Sequence, residues 1–237
     1  MDVINPIYWM VLLLLFSGCR TNAFTPAHET FHEQTDEERE KEITQLIFEK
    51  RFKEAEQKLR ELLEKSKDKY RDKYIEKIST FLILSKIGLD QNKILEASKG
   101  KDNLTKINSL TDAASKLSQD DMDRMVNNKK NIEASPEKSK DDYNNYTMLS
   151  SLLIANKLGK TRNAEGKFDR DTANKNLSPE DSESMLANMN DMKTNFQLQG
   201  DTKNAESTEK EIEAINASQG PDLKTKLINF LEQREKS

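Results

Sequence analysis

Seven glycines and five prolines are spread through 237 residues, and that scarcity constrains the fold more than any motif does. β-Sandwiches and barrels draw on these residues at nearly every tight turn. Phosphate-binding loops need clustered glycines, and no G-x-G-x-x-G or G-x-x-x-x-G-K pattern occurs. Hydrophobic residues make up 34% of the chain, below the roughly 45–50% of ordinary compact domains. Charged residues make up another 34%. The expectation is an all-α protein, an elongated helical bundle or helical-hairpin array with a disordered N-terminal tether. The net charge is −4 with both signs interleaved. That lacks the clustered basic face a nucleic-acid binder needs, so no nucleic-acid partner is expected.

Residues 8–16, YWMVLLLLF, are apolar throughout. A membrane-spanning helix needs roughly twenty such residues, and this length suits the hydrophobic region of a secretory signal peptide. The run ends in Phe16-Ser17-Gly18-Cys19. This ending resembles a bacterial lipobox, with Phe16 where Leu is usual and with Asp2 in place of basic residues ahead of the run. The resemblance implies that residues 1–18 are a lipoprotein signal peptide. It also implies that a diacylglycerol is attached to the Cys19 thiol and that palmitate-type acylation follows at the new amino terminus. Arg20, in place of the Asp that retains such lipoproteins on the inner membrane, is compatible with the outer membrane. The alternative is a buried cysteine in an N-terminal hydrophobic helix. Cys19 is the single cysteine, which excludes an internal disulfide and favours the lipidation that the lipobox resemblance implies. One myristoyl chain gives marginal membrane binding at about 0.8 kcal/mol per buried CH₂; three chains would hold the protein on its membrane.

Residues 19–35 read as a lipidated, flexible tether, without helical periodicity and with Pro26 inside. His28-Glu29-Thr30-Phe31-His32 matches H-E-x-x-H, the pattern in which two histidines one helical turn apart bind zinc and the Glu acts as base. His28 and His32 are the only histidines, so a third ligand would have to be a carboxylate such as Glu49 or Glu54. The motif starts nine residues after Cys19, with few apolar neighbours. A solvated stretch is the expected reading, with no cofactor, no metal and no catalytic residues. Weak metal binding at His28, Glu29 and His32 and a zinc hydrolase stand as alternatives.

Residues 36–237 read as an all-helical body. Thr35 or Asp36 caps the first helix, which carries Ile43, Leu46 and Ile47. A stripe of Phe52, Ala55, Leu59, Leu62 and Leu63 follows out of phase, so a break is expected near Lys50-Arg51. The Phe52-to-Leu63 segment resembles the second helix of a tetratricopeptide-type hairpin. Residues 69–87 form a helix with Tyr70, Tyr74, Ile78, Phe81, Leu82, Ile83, Leu84 and Ile87 as core candidates and Gly88 as its cap. A polar segment and a helix over 104–117 come next. Helices then start at Ser118 and Ser178 with acidic third positions, and Pro179 takes the first helical position of the second. Tyr143, Tyr146, Leu149, Leu152, Leu153, Ile154 and Leu158 mark a second core helix ending at Gly159. Residues 160–177 read as a loop, 201–218 as a weakly apolar helix, and 223–231 as a final amphipathic one.

Two segments recur. FLILSKIG at 81–88 parallels LLIANKLG at 152–159, and LSQDDMDRMVNN at 117–128 parallels LSPEDSESMLAN at 177–188. A degenerate duplication of residues 66–135 and 136–200 is the expectation, because stacked helical units bury a shared core. Met122, Met125, Met185, Met189 and Met192 are read as core filling, with an adaptable Met-lined groove as the alternative.

The relaxed lipobox, polar stalk and Lys/Asn/Glu-rich helical body resemble the helical surface lipoproteins of spirochaetes. That resemblance implies a cell-surface, outer-membrane lipoprotein. Its partner would be a host serum or matrix protein of the complement-regulator, plasminogen or fibronectin type. A periplasm-facing helical-repeat adaptor is the alternative. No partner-binding residue follows from the resemblance.

Overall fold

The computed structural model describes residues 35–65 and 69–236. The expectations for residues 1–34, and for the Leu63, Tyr70 and Tyr74 side chains, lie outside the described residues. Within them the protein is all-α, with twelve helices and a single isolated bridge, Arg162 to Phe168.

The chain enters through a capping box. The Thr35 hydroxyl accepts from the Glu38 N–H while the Glu38 carboxylate accepts from the Thr35 N–H. Helix α1 (Asp36–Phe48) and α2 (Phe52–Lys65) form a hairpin. The break expected near Lys50 is there, and its geometry is unusual for a lysine. Lys50 has φ +59°. The Lys50 N–H donates to the Ile47 carbonyl at 3.0 Å and the Arg51 N–H to the Leu46 carbonyl at 2.9 Å, the bond pair of a Schellman ending. At Gly88 and Gly200 the same ending is made by glycine.

Helix α3 (Lys69–Ile87) is shared between two cores. Ile78 and Leu82 join Ile43, Leu46, Ile47, Ala55, Leu59 and Leu62 of the hairpin in one buried cluster. Ile83, Leu84 and Ile87 belong to the second, larger cluster of the body. One residue of advance along a helix turns the side chain by about 100°, so α3 presents one apolar face to each. Phe81 falls between these faces. It was expected in the core, but it is 37% exposed and packs edge-on against Phe48 of α1, with ring centroids 5.7 Å apart.

The polar segment after Gly88 and the helix expected over 104–117 resolve into three short helices: α4 (Gln91–Ala97), α5 (Asn103–Asn108) and α6 (Thr111–Ala114). Hydroxyls explain the interruptions. Ser109, Thr111 and Ser115 each donate to the carbonyl three residues back, competing with helix propagation. Helix α7 (Gln119–Ala134) and α8 (Lys140–Gly159) follow. Residues 160–177 are not all loop: Asp169 accepts from the Thr172 N–H and starts α9 (Arg170–Asn176). Ala173 and Leu177 are the only buried apolar residues there, so no apolar period announces it. Helices α10 (Pro179–Leu198), α11 (Thr202–Ala217) and α12 (Leu223–Glu235) complete the body.

Helix α8 is the axis of that body. Every residue from Asn145 to Ala155 is buried. Helices α4, α5, α6, α7 and α10 all pack against it, α10 most extensively. An apolar surface all round a helix is stable only where neighbours cover every side. Truncation of Leu153, which is buried, to Ala is expected to cost about 2–5 kcal/mol. Phe81→Ala, at the exposed edge pair, should cost about 1 kcal/mol. Urea denaturation of the two variants checks the ordering. Lys50→Gly relieves a left-handed L-residue worth about 1–2 kcal/mol, partly offset by the flexibility of glycine in the unfolded chain. A gain of about 0.5–1 kcal/mol, read as a higher Tm, is the expected outcome.

Candidate functional site

The described residues contain none of Cys19, His28, Glu29 and His32, so the expected lipidation and metal positions lie outside them. The two carboxylates considered as further zinc ligands are described, and both are occupied. Glu49 and Glu54 grip Arg51 at 3.1 and 2.5 Å. Hydrogen bonds from Gln45 and Arg51 hold the Glu49 carboxyl below its usual range, and the bond from Arg51 does the same for Glu54. Among the described residues, no group of three or more His, Cys, Asp or Glu is arranged to hold a metal ion.

Several of the buried polar side chains sit at joints between helices. Two of these joints are copies of one design. Ser118 and Asp121 form a capping box at the start of α7, and Ser178 and Asp181 form one at the start of α10. In each, a lysine from the end of the preceding core helix closes on the buried carboxylate. Lys86 of α3 reaches Asp121 at 2.9 Å, and Lys157 of α8 reaches Asp181 at 2.6 Å. Lys86 and Lys157 hold the same place in the repeated segments, as do Asp121 and Asp181. A buried hydroxyl pair precedes each repeated segment, Ser79-Thr80 in one and Ser150-Ser151 in the other, extending the likeness beyond the matched letters.

The carboxylates respond to this surrounding. Burial alone would raise the Asp181 carboxyl, but the hydrogen bonds from Lys157 and from Lys160, the latter at 2.7 Å, outweigh it and hold the group down to about 2. Asp121 is likewise lowered against its burial, by Ser118 and Lys86. Asp121 and Asp181 therefore serve folding, as capping requires, and each carries a lysine that the capping pattern did not reveal.

A third joint is centred on Lys129 of α7, almost fully buried. Its ammonium donates to the Asn188 Oδ1 at 2.5 Å and the Asp191 Oδ2 at 2.7 Å, both on α10. It also lies 4.6 Å from the centre of the Tyr146 ring on α8. Burial pushes the lysine below its ordinary range against the pull of Asp191, and burial followed by the Asp191 charge pushes the Tyr146 hydroxyl upward. One cation thus ties three helices together. The sequence carried a signal for it: Lys129 falls on the Met122, Met125, Ile132 stripe, where an apolar residue belongs.

The fourth joint is a polar stripe on α11. Asn204 Oδ1 accepts from the Gly100 N–H at 2.7 Å and Ser207 donates to the Gly100 carbonyl at 2.7 Å. Thr208 accepts from the Asn103 amide at 2.9 Å. Glu211 accepts from the Leu104 N–H at 3.2 Å and from Arg234 of α12 at 2.9 Å. Arg234 also reaches Asp102 at 3.1 Å. Burial raises the Glu211 carboxyl, with Arg234 opposing. Beside this joint Leu104, Asn108, Leu158, Arg162, Leu231 and Arg234 line a cavity of about 40 Å³, room for water rather than for a substrate.

Met122, Met125, Met185, Met189 and Met192 are all buried. They fill the core, and the alternative of an open Met-lined groove is set aside. No family model matches the chain, and no curated protein or solved structure matches it.

The Asp181 joint has a pH signature. Its folded value near 2 lies below the ordinary 3.8, so its contribution is full above the ordinary value and is lost as pH falls toward 2. The difference corresponds to about 2 kcal/mol. Asp181→Asn is expected to cost about that much at pH 7, with the gap to the parent protein closing near pH 2 in denaturation measured across pH.

Proposed function

We propose that this protein is a lipid-anchored lipoprotein of a bacterial envelope whose helical body binds another protein, without enzymatic activity, cofactor or nucleic-acid partner. The observation that carries the reading is Phe16-Ser17-Gly18-Cys19 directly behind a short apolar run, with Cys19 the only cysteine of the chain. The body supports it. Of its buried ionisable groups, Asp121, Lys129, Asp181 and Glu211 are engaged by partners from other helices, and Asp142 caps its own helix with Ser139. In such engagement they hold elements together rather than present reactive atoms. What the body offers to other molecules is its outer helix faces and loops.

The outer membrane, with the body facing outward toward host serum or matrix proteins, is the localisation we propose. It rests on Arg20 after the anchor and on the polar segment between Cys19 and α1. We further propose that residues 66–135 and 136–200 descend from one duplicated unit, which the paired lysine–capping-box joints favour. The same repetition favours a second reading, a periplasm-facing helical adaptor in an envelope assembly. Mass spectrometry of the native protein is expected to find acylated Cys19 as the first residue. An unmodified thiol, or a leader still attached, would refute the anchor. Protease treatment of intact cells then separates the two readings, with loss of the body expected for the surface form and protection for the adaptor.

A further inference from the structure

The α1–α2 hairpin has a core of its own. Its buried apolar residues, with Ile78 and Leu82 of α3, form a cluster separate from that of the body. None of the hairpin's described buried apolar residues joins the larger cluster.

Beyond the apolar contact with Ile78 and Leu82, the hairpin meets α7 and the end of α3 through charged groups. Glu56 of α2 binds Lys86 at the end of α3 at 2.6 Å, while the same ammonium holds Asp121 of α7. Arg124 of α7 stands 3.9 Å from the same Glu56 oxygen. Arg60 of α2 pairs with Asp120 of α7 at 3.1 Å. Three cations and three carboxylates therefore line this contact. The Glu56–Lys86 pair is about three-quarters buried and the Arg60–Asp120 pair is open to solvent. Separate apolar clusters within one chain open at different free energies. Exposed ion pairs weaken as salt shortens the Debye length.

We propose that the α1–α2 hairpin is an ion-latched strap. It lifts from α3 and α7 as a unit while the body stays folded, and ionic strength sets how often it does so. Opening lays bare Ile78 and Leu82 on α3 and frees Glu56 and Arg60 on the strap. If Cys19 is the membrane anchor, the strap stands between it and the rest of the body in the sequence, and its release adds the strap to the length of chain that joins them. That consequence rests on the proposed function, whereas the latch itself does not.

Native-state hydrogen exchange on the purified full chain tests this. Sodium chloride is raised from about 10 mM to about 0.5 M, so that screening sharpens. Once lifted, the short helices of the hairpin lose the packing on α3 that holds them helical, so the amides of Leu59 and Leu62 in α2 are expected to exchange through a more frequent opening than those of Leu152 and Ile154 in α8. Salt should increase the α2 opening about fivefold and leave α8 unmoved. The double variant Glu56→Gln/Arg60→Met should open as often at low salt as the parent does at high salt and should lose the salt response. Lys193→Met, which removes a pair with Glu209 elsewhere on the body, should leave the α2 amides unchanged. A single shared opening for α2 and α8 would overturn the proposal. So would an α2 opening indifferent to both salt and the double variant.

Discussion

A helix buried on all sides can exist only inside a jacket, and α8 sets that requirement for the rest of the body. From Asn145 to Ala155 no residue of it meets solvent freely. Five helices are recruited to cover it. Three of them are short, which lets the chain bend round a cylinder that one straight helix could cover only along a stripe. In a chain with 34% hydrophobic residues, concentrating them on α3 and α8 is what makes a core affordable. The outer helices then need only one apolar face each.

The joints of that jacket are polar, and they are economical. A capping box satisfies the exposed N–H groups of a helix start. Placing an aspartate there also puts a carboxylate where the lysine of a neighbouring helix can reach it. The same residue thus begins one helix and clamps another. Because removing one partner of a buried pair strands the other charge, such joints penalise wrong packing more than they stabilise the right one. Lys129 gathers α7, α8 and α10 about one cation, as Lys86 gathers α2, α3 and α7.

Much of this was legible in the amino acids. The long helices follow from apolar periodicity, and the Ser118 and Ser178 starts from the Ser-x-x-Asp pattern. The break at Lys50 was legible from a phase shift, although its left-handed backbone was not, since lysine carries no such preference. Phe81 was misplaced because periodicity tells how apolar a helix is but not how far its neighbours extend over each side. Helices α4 and α9 are too short for a 3.6-residue period to stand out, and α5 and α6 read together as one longer helix. The lysine partners of Asp121 and Asp181 were illegible for a different reason: lysine is common here, and only tertiary packing selects which ones turn inward. The candidate anchor and the H-E-x-x-H segment were read from residues 1–34 alone.

The placement of the joints has an outcome for how this protein can change. Everything that defines the frame is held at helix starts, inward stripes and a handful of lysines. Substitutions on outward positions of helices that touch none of these cost little, typically within about 0.5 kcal/mol. The chain can therefore diverge across its whole outer coat, with the scaffold beneath preserved, so that two descendants could share every joint and show a third party almost nothing in common.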